Sequence, residues 1–233
     1  MTRRYFVPDL PILGGLVSLP EAEAQHASRV MRVQVGDELV LFDGRGNEAI
    51  AQFVQVGRKE CHCQADAAQA IDRETQREIH LAIALPKPDR SRDLIERLTE
   101  MGVRSLTPLM AHRTQRPPTD SLLAKLRRGV IEACKQSGRN QLMDLRAPMR
   151  ADAFFSACGP GTKWIAHPAI DHLTRDIASS GIFHVAIGPE GGWTDDEVKL
   201  AISHSFKAVD LGTRIYRIET AATTLAAILA TRS

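Results

Sequence analysis

No apolar run in this chain approaches the roughly 18–20 residues that a bilayer-spanning helix requires, so a helical membrane protein is excluded. The opening "MTRRYFVPDLP" meets Pro8 and Asp9 before any signal-peptide core develops, and a cytoplasmic location is expected. Internal repeats and low-complexity segments are also missing. Cysteine is scarce: Cys61, Cys63, Cys134 and Cys158 are the whole set. "CHC" resembles a fragment of a metal site, but no second Cys or His pair stands at zinc spacing. In "ECHCQADA" the alternation instead predicts a strand with both thiols on one face, no metal, and a reducing compartment.

Net charge is only +2, which conceals an uneven distribution. Residues 1–70 carry 7 basic and 9 acidic groups, net −2. Residues 71–150 carry 16 and 10, net +6, and residues 151–233 carry 7 and 9, net −2. The positive excess lies in "KPDRSRDLIER", "HRTQR" and "KLRRG". Such a block either attracts a polyanion or forms solvated helix faces.

The first third is β-rich. "DELVLFDGRGNEAIAQFVQV" holds two strand-like runs joined by the turn signal "DGRGN", and "PEAEAQHASRVMR" has helical character after Pro20. Gly44, Gly46 and Ala49 spell G-x-G-x-x-A, a superficial dinucleotide fingerprint. That motif needs a helix to follow and an acid about 20 residues on, whereas "EAIAQFVQV" favours a strand. The glycines therefore read as a turn. This region is expected to be a small barrel-like domain over 1–70.

From about residue 78 the texture changes, and 71–233 is expected to form a second domain. "EIHLAIALP", "SLTPLM", "KWIAHP", "FHVAIGP" and "KAVDLG" read as strands. Between and after them stand the helical patterns "SRDLIERLTEMG", "TDSLLAKLRRGVIEACKQSG", "AIDHLTRDIASSG", "TDDEVKLAISHS" and "IETAATTLAAILATR". The alternation predicts an α/β fold with a parallel sheet covered on both faces.

Two stretches stand out. In "HVAIGPEGGWTDDEV", Thr194 and Glu197 form T-x-x-E, a capping box, and Trp193 with Val198 can form a hydrophobic staple. "GPEGG" remains to be explained. Its glycines permit backbone conformations and close ligand approach that a Cβ would block, at a strand's carboxyl end where open α/β sheets bind ligands. Phosphate fits badly, because Glu190 would repel it and the Lys-Ser/Thr of a Walker loop is missing. A neutral or cationic ligand fits better, and a tight turn with no ligand stays open. "LGTRIYRIETAATTLAAIL" repeats the arrangement, with Gly212 at a turn and Arg214 and Arg217 before the last helix.

Together "LPKPDR", "EMGV", "EACKQSGR", "IGPEGG" and "LGTRIYRIETA" resemble, in order, the signature blocks of the RsmE family. Its members are 16S rRNA uridine-N3 methyltransferases of the SPOUT superfamily. "HASRVMRVQVGDELVLFDGRG" is similar to that family's PUA-like RNA-binding domain. The resemblance implies a SPOUT-type parallel sheet with a C-terminal trefoil knot, preceded by a PUA-like β-barrel. It also implies S-adenosylmethionine as cofactor, a homodimer, and a uridine near the decoding site as substrate, in the assembled 30S subunit. By position the cofactor residues are Ala166, Ile187, Gly188, Pro189, Glu190, Gly191, Gly192, Leu211, Gly212, Ile215, Tyr216 and Arg217, with His167 beside Ala166. Two departures stand out: Tyr216 replaces the family's usual leucine, and Lys135-Gln136 replaces the common Glu-Gln.

Uridine N3 must lose a proton before it attacks, and an arginine aimed at the resulting charge would stabilise it. Arg217 is the first candidate for that role and Arg214 the second. Glu219 is either a proton acceptor or a helix-start residue that orients Arg217. For RNA contact the candidates are Arg3, Arg4, Arg29, Arg32, Lys87, Arg90, Arg113 and Arg139. The rival readings are a methyltransferase acting on another RNA nucleoside, a nucleotide-dependent oxidoreductase lacking its fingerprint, and a non-enzymatic RNA-binding protein.

Overall fold

A computed structural model describes residues 3–168 and 177–231. The chain divides into two compact units, Met1–Glu74 with Ile131–Leu142, and Thr75–Val130 with Met143–Ser233.

The first unit begins with β1 (Arg3–Phe6), β2 (Gly15–Ser18) and α1 (Glu21–Gln25), which continues as a π-helical turn over His26–Val30. Then come β3 (Glu38–Phe42), β4 (Asn47–Val56), β5 (Cys61–Ala65) and β6 (Gln69–Ala70). The ladders run in the order β1-β3-β4-β5-β2, with β6 on β4. Period-2 alternation decides the faces: Ala49, Ala51 and Phe53 of β4 point inward, as do Cys61 and Cys63 of β5. These pack with Tyr5, Leu39 and Leu41 and with Ala24 and Ala27 of the helical segment. Both thiols thus share one face, as the alternation predicts.

"DGRGN" is the β3–β4 turn, with Gly44 and Gly46 at φ of 74° and 106°. A strand follows it, so the dinucleotide fingerprint is a decoy. Asp43 organises the turn by accepting from the backbone N–H groups of Arg45 and Asn47 at 2.7 and 3.0 Å. Burial pushes its carboxyl up, but these bonds and the Asn47 side chain outweigh that and hold it below the usual range.

The second unit comprises β7 (Arg77–Ile83), α2 (Pro88–Glu100), β8 (Ser105–Met110), α3 (Asp120–Ser137, as far as Val130), β9 (Asp144–Leu145), β10 (Met149–Arg150) and α4 (Ala151–Ala157). It is completed by β11 (Thr162–Ala166), β12 (Gly181–Ile187), α5 (Asp195–Ser203), β13 (Lys207–Val209) and α6 (Ile218–Thr231). The strand order is β10-β8-β7-β12-β11-β13, with β9 on β8, and every ladder is parallel. The α/β expectation therefore holds. The helical pattern "AIDHLTRDIASSG" lies mostly outside the described residues.

β7 is central and reads as a near-continuous apolar run because both its faces are covered. α6 packs on β7, β12 and α2. On the other face Phe154, Phe155 and Ala201 of α4 and α5 cover Ala82, Leu109, Ile165 and Ala186. Arg77, 3% exposed, enters this interior to donate to the carbonyls of Leu229 and Ala178 at 2.7 and 2.6 Å. It satisfies an acceptor in the last turn of α6 that the helix itself leaves open.

Strand register sets up everything that follows. Ile83 pairs with Ile187, Ile187 with Ala166, and Ala166 with Val209. The carboxyl ends of β7, β12, β11 and β13 thus form one row.

Candidate functional site: two glycine loops on one row of strand ends

Three strand ends in this row release the segments singled out in the sequence. β12 leads into 188–192, β11 ends at Ala166, and β13 leads into 211–217. Ladder pairing makes β11 the middle strand, so the two glycine loops leave the sheet on either side of it.

The first loop is shaped by its own packing. The Gly192 N–H donates to the Pro189 carbonyl at 2.8 Å, and Gly192 has φ of 71°, a left-handed conformation that glycine adopts without penalty. A Cβ on Gly188 would lie 2.8 Å from the Trp193 indole. Trp193, buried beside Phe155, donates its Nε1–H to the Ala166 carbonyl at 3.1 Å and so links the loop to the end of β11. A Cβ on Gly191 would lie 3.4 Å from the stem of Arg113. Gly188 thus makes room for the Trp193 indole and Gly192 turns the chain, while Gly191 lies in contact with the Arg113 stem.

The capping box is complete: Thr194 Oγ1 accepts from the Glu197 N–H, and Glu197 Oε2 accepts from the Thr194 N–H. Trp193 and Val198 meet in the same apolar cluster, as the staple requires. The other oxygen of Glu197 accepts from the His112 N–H at 2.7 Å.

The second loop is open. Gly212, at φ of 116°, donates to Asp210 Oδ1, and residues 213–217 are exposed, with Ile215 fully so. α6 then begins, and Glu219 in its first turn is mostly covered. Arg90, from the first turn of α2, donates to Glu219 at 3.1 Å and lies 3.8 Å from Glu190. One guanidinium therefore joins Glu190 of the first loop to Glu219 at the start of α6. Burial pushes the Glu219 carboxyl up, but a backbone N–H, Arg90 and Arg217 together hold it below the usual range.

The structure redistributes the proposed RNA contacts. Arg4 is largely covered, paired with Glu48 at 3.0 Å and bonded to Asn140. Arg139 is 4% exposed and chelates Glu74 through Nε and Nη2. Both guanidiniums are thus engaged inside the first unit. Their sequence neighbourhood looked basic, but the partners come from distant segments. Arg3 pairs with Asp37, Arg90 donates to Glu219, and Arg113 donates to the Gly191 carbonyl. Arg29, Arg32 and Lys87 remain exposed. The Lys135 departure is matched by Glu23, Glu132 and His26, and its ammonium lies 5.8 Å from the Tyr5 ring centre.

Comparison with known proteins identifies the family. The RNA methyltransferase domain family matches residues 73–230, and the RNA methyltransferase PUA domain family matches residues 19–66. Ribosomal RNA small subunit methyltransferase E of Synechocystis is 32% identical over 96% of this chain and 75% of its own. The chain belongs to the ribosomal RNA small subunit methyltransferase E family. The Neisseria gonorrhoeae member, solved bound to S-adenosyl methionine, superposes with a TM-score of 0.92 at 28% identity, covering 99% of this chain and 98% of that one. A Legionella pneumophila protein solved with bound SAM gives 0.92 at 33% identity over 98% and 97%. The family thus pairs a small PUA domain with an α/β methyltransferase domain built on a parallel sheet, as the signature blocks imply. Among the described residues no helix is long and apolar enough to cross a membrane.

Proposed function

We propose that this protein transfers the methyl group of S-adenosylmethionine to N3 of a uridine in 16S rRNA, near the decoding site. The observation that carries the reading is the row Ile187–Ala166–Val209, which brings two glycine loops to strand ends on either side of β11. The same reading has residues 1–70 grip RNA and residues 71–233 form a knotted methyltransferase domain. It has the protein act in the cytoplasm as a homodimer on the 30S subunit.

The residues suit that cofactor. Ala166 and residues 187–192 and 211–217 would hold it, largely through backbone groups. Glu190, half-exposed and a long 3.8 Å from Arg90, offers a carboxylate to a cationic sulfonium and repels phosphate. When bound, the cofactor supplies an electrophilic methyl group.

The chain's own work is alignment and charge. Loss of the N3 proton spreads negative charge over the flanking carbonyl oxygens of the base. Arg217 and Arg214, exposed on the second loop, are the cations that would meet it. Glu219 stays ionised and bonded to Arg90, a poor state for taking a proton and a good one for fixing arginines. Its role is therefore orientation.

Calorimetry with S-adenosylmethionine, then mass spectrometry of nucleosides from 16S rRNA of a strain lacking the gene, tests the proposal. Binding heat and loss of one N3-methyluridine are expected. Absence of heat together with an unchanged nucleoside profile would overturn it.

A further inference from the structure

The sequence groups Arg113 with the arginines that meet RNA. In the second unit Arg113 is exposed, yet its guanidinium is already engaged by the chain itself. Arg113 lies just after β8, in a loop closed on itself: Ala111 N–H donates to Thr114 Oγ1 at 2.9 Å and Thr114 N–H returns to the Ala111 carbonyl at 3.0 Å. That closure fixes the start of the Arg113 side chain. The stem then runs flat against Gly191, where an added Cβ would sit 3.4 Å from Arg113 Cβ and Cδ. At its end Nη1 donates to the Gly191 carbonyl at 2.8 Å and the Trp193 carbonyl at 3.3 Å. These two carbonyls flank Gly192, the left-handed residue that turns the loop. Next to it, the His112 N–H holds Glu197, whose other oxygen closes the capping box of α5.

Without this clamp the first loop keeps its backbone turn, the Trp193 anchor and the long Arg90–Glu190 pair at 3.8 Å, but loses the side chain that ties its Gly191 and Trp193 carbonyls to the end of β8. Loops of this kind are normally mobile, and a binding loop that must be ordered at each encounter loses affinity to the entropy of ordering. We propose that Arg113 is a positioning residue: it holds loop 188–192 in its binding shape from the β8 side and does not serve as an RNA contact. The inference rests on the reading that this loop grips S-adenosylmethionine.

The test uses the full-length protein, Arg113→Ala and Arg113→Lys, with thermal melts to verify folding. S-adenosylmethionine affinity is measured by calorimetry and RNA affinity by low-salt titration. Arg113→Ala is expected to weaken cofactor binding at least tenfold and to raise its KM by a similar factor. kcat at saturating cofactor and RNA affinity should stay within about twofold. Arg113→Lys keeps the charge but loses the planar fork, so a several-fold loss of cofactor affinity with unchanged RNA affinity is expected. If Arg113→Ala does not fold, the lysine variant decides. Unchanged cofactor affinity in the folded variants would overturn the proposal, and a concurrent fall in RNA affinity would return Arg113 to the RNA surface. No binding by the wild-type protein would instead sink the cofactor reading itself.

Discussion

Arg217 is the residue on which the proposed chemistry turns. It stands one position before α6, its carbonyl accepts the Ala221 N–H, and its guanidinium acts on the carboxyl of Glu219 through space. A donor aimed at developing negative charge is typically worth roughly 10²–10³ in kcat. Arg217→Ala should therefore lower single-turnover methyl transfer by about that factor while cofactor affinity, read by calorimetry, changes little. An equal loss in both would mean that the Arg217 side chain, and not only its backbone, holds the cofactor. At this scale the sequence was informative about residue type and poor about partners. Arg90 and Arg139 read as surface cations because Glu219 and Glu74 lie 129 and 65 positions away, whereas Arg113 is exposed as expected and only its tie to Gly191, 78 positions on, was hidden.

Among elements, the β7–β12 pair carries the clearest pH dependence. His80 and His184 are register partners, stacked at 5.0 Å with ring planes 17° apart. Ser105 engages His80 Nδ1 at 2.7 Å, and His184 Nε2 meets the Pro160 carbonyl at 3.1 Å. Burial, the other ring and Arg146 push His80 down against the pull of Glu78, while burial, Lys163 and Arg146 push His184 down against the Pro160 bond and Glu78. A histidine held below its unfolded value of about 6.5 stabilises the fold in its neutral form. That contribution is full above the unfolded value and is lost as pH falls through the folded ones. Thermal midpoints should drop as pH is lowered below about 6.5, and His184→Asn should flatten the drop. An identical profile in the variant would clear the pair of this role. The capping box, the β3–β4 turn and the alternation in β5 were all legible because each is settled by residues close in sequence. The purpose of the "GPEGG" glycines was not, since it depends on Trp193 and Arg113 packing against them.

For the whole molecule, the βα alternation announced the parallel sheet. That residues 131–142 pack within the first unit was hidden. Lys135, Arg139 and Asn140 find their partners Glu23, Glu74 and Arg4 only in three dimensions. The distinction between exposed and buried cations is testable. Arg29→Ala and Arg32→Ala should each reduce RNA affinity and lower the slope of log affinity against log salt by about 1. Arg139→Met should instead destabilise the protein by about 2–3 kcal/mol in denaturant melts, because Glu74 loses its partner yet keeps some solvent contact. A salt slope that fell with Arg139→Met and not with Arg29→Ala would reverse the assignment.

The indole of Trp193 touches Gly188 and holds the end of β11 by its N–H. The protein therefore contains its own optical reporter at the junction of two strand ends. The chain has two tryptophans, and the other, Trp164, is packed against Phe183. In a Trp164→Phe background, emission from Trp193 alone should change in intensity or wavelength as S-adenosylmethionine is titrated, saturating with the calorimetric affinity. A flat signal alongside normal binding heat would mean that the cofactor leaves this junction undisturbed.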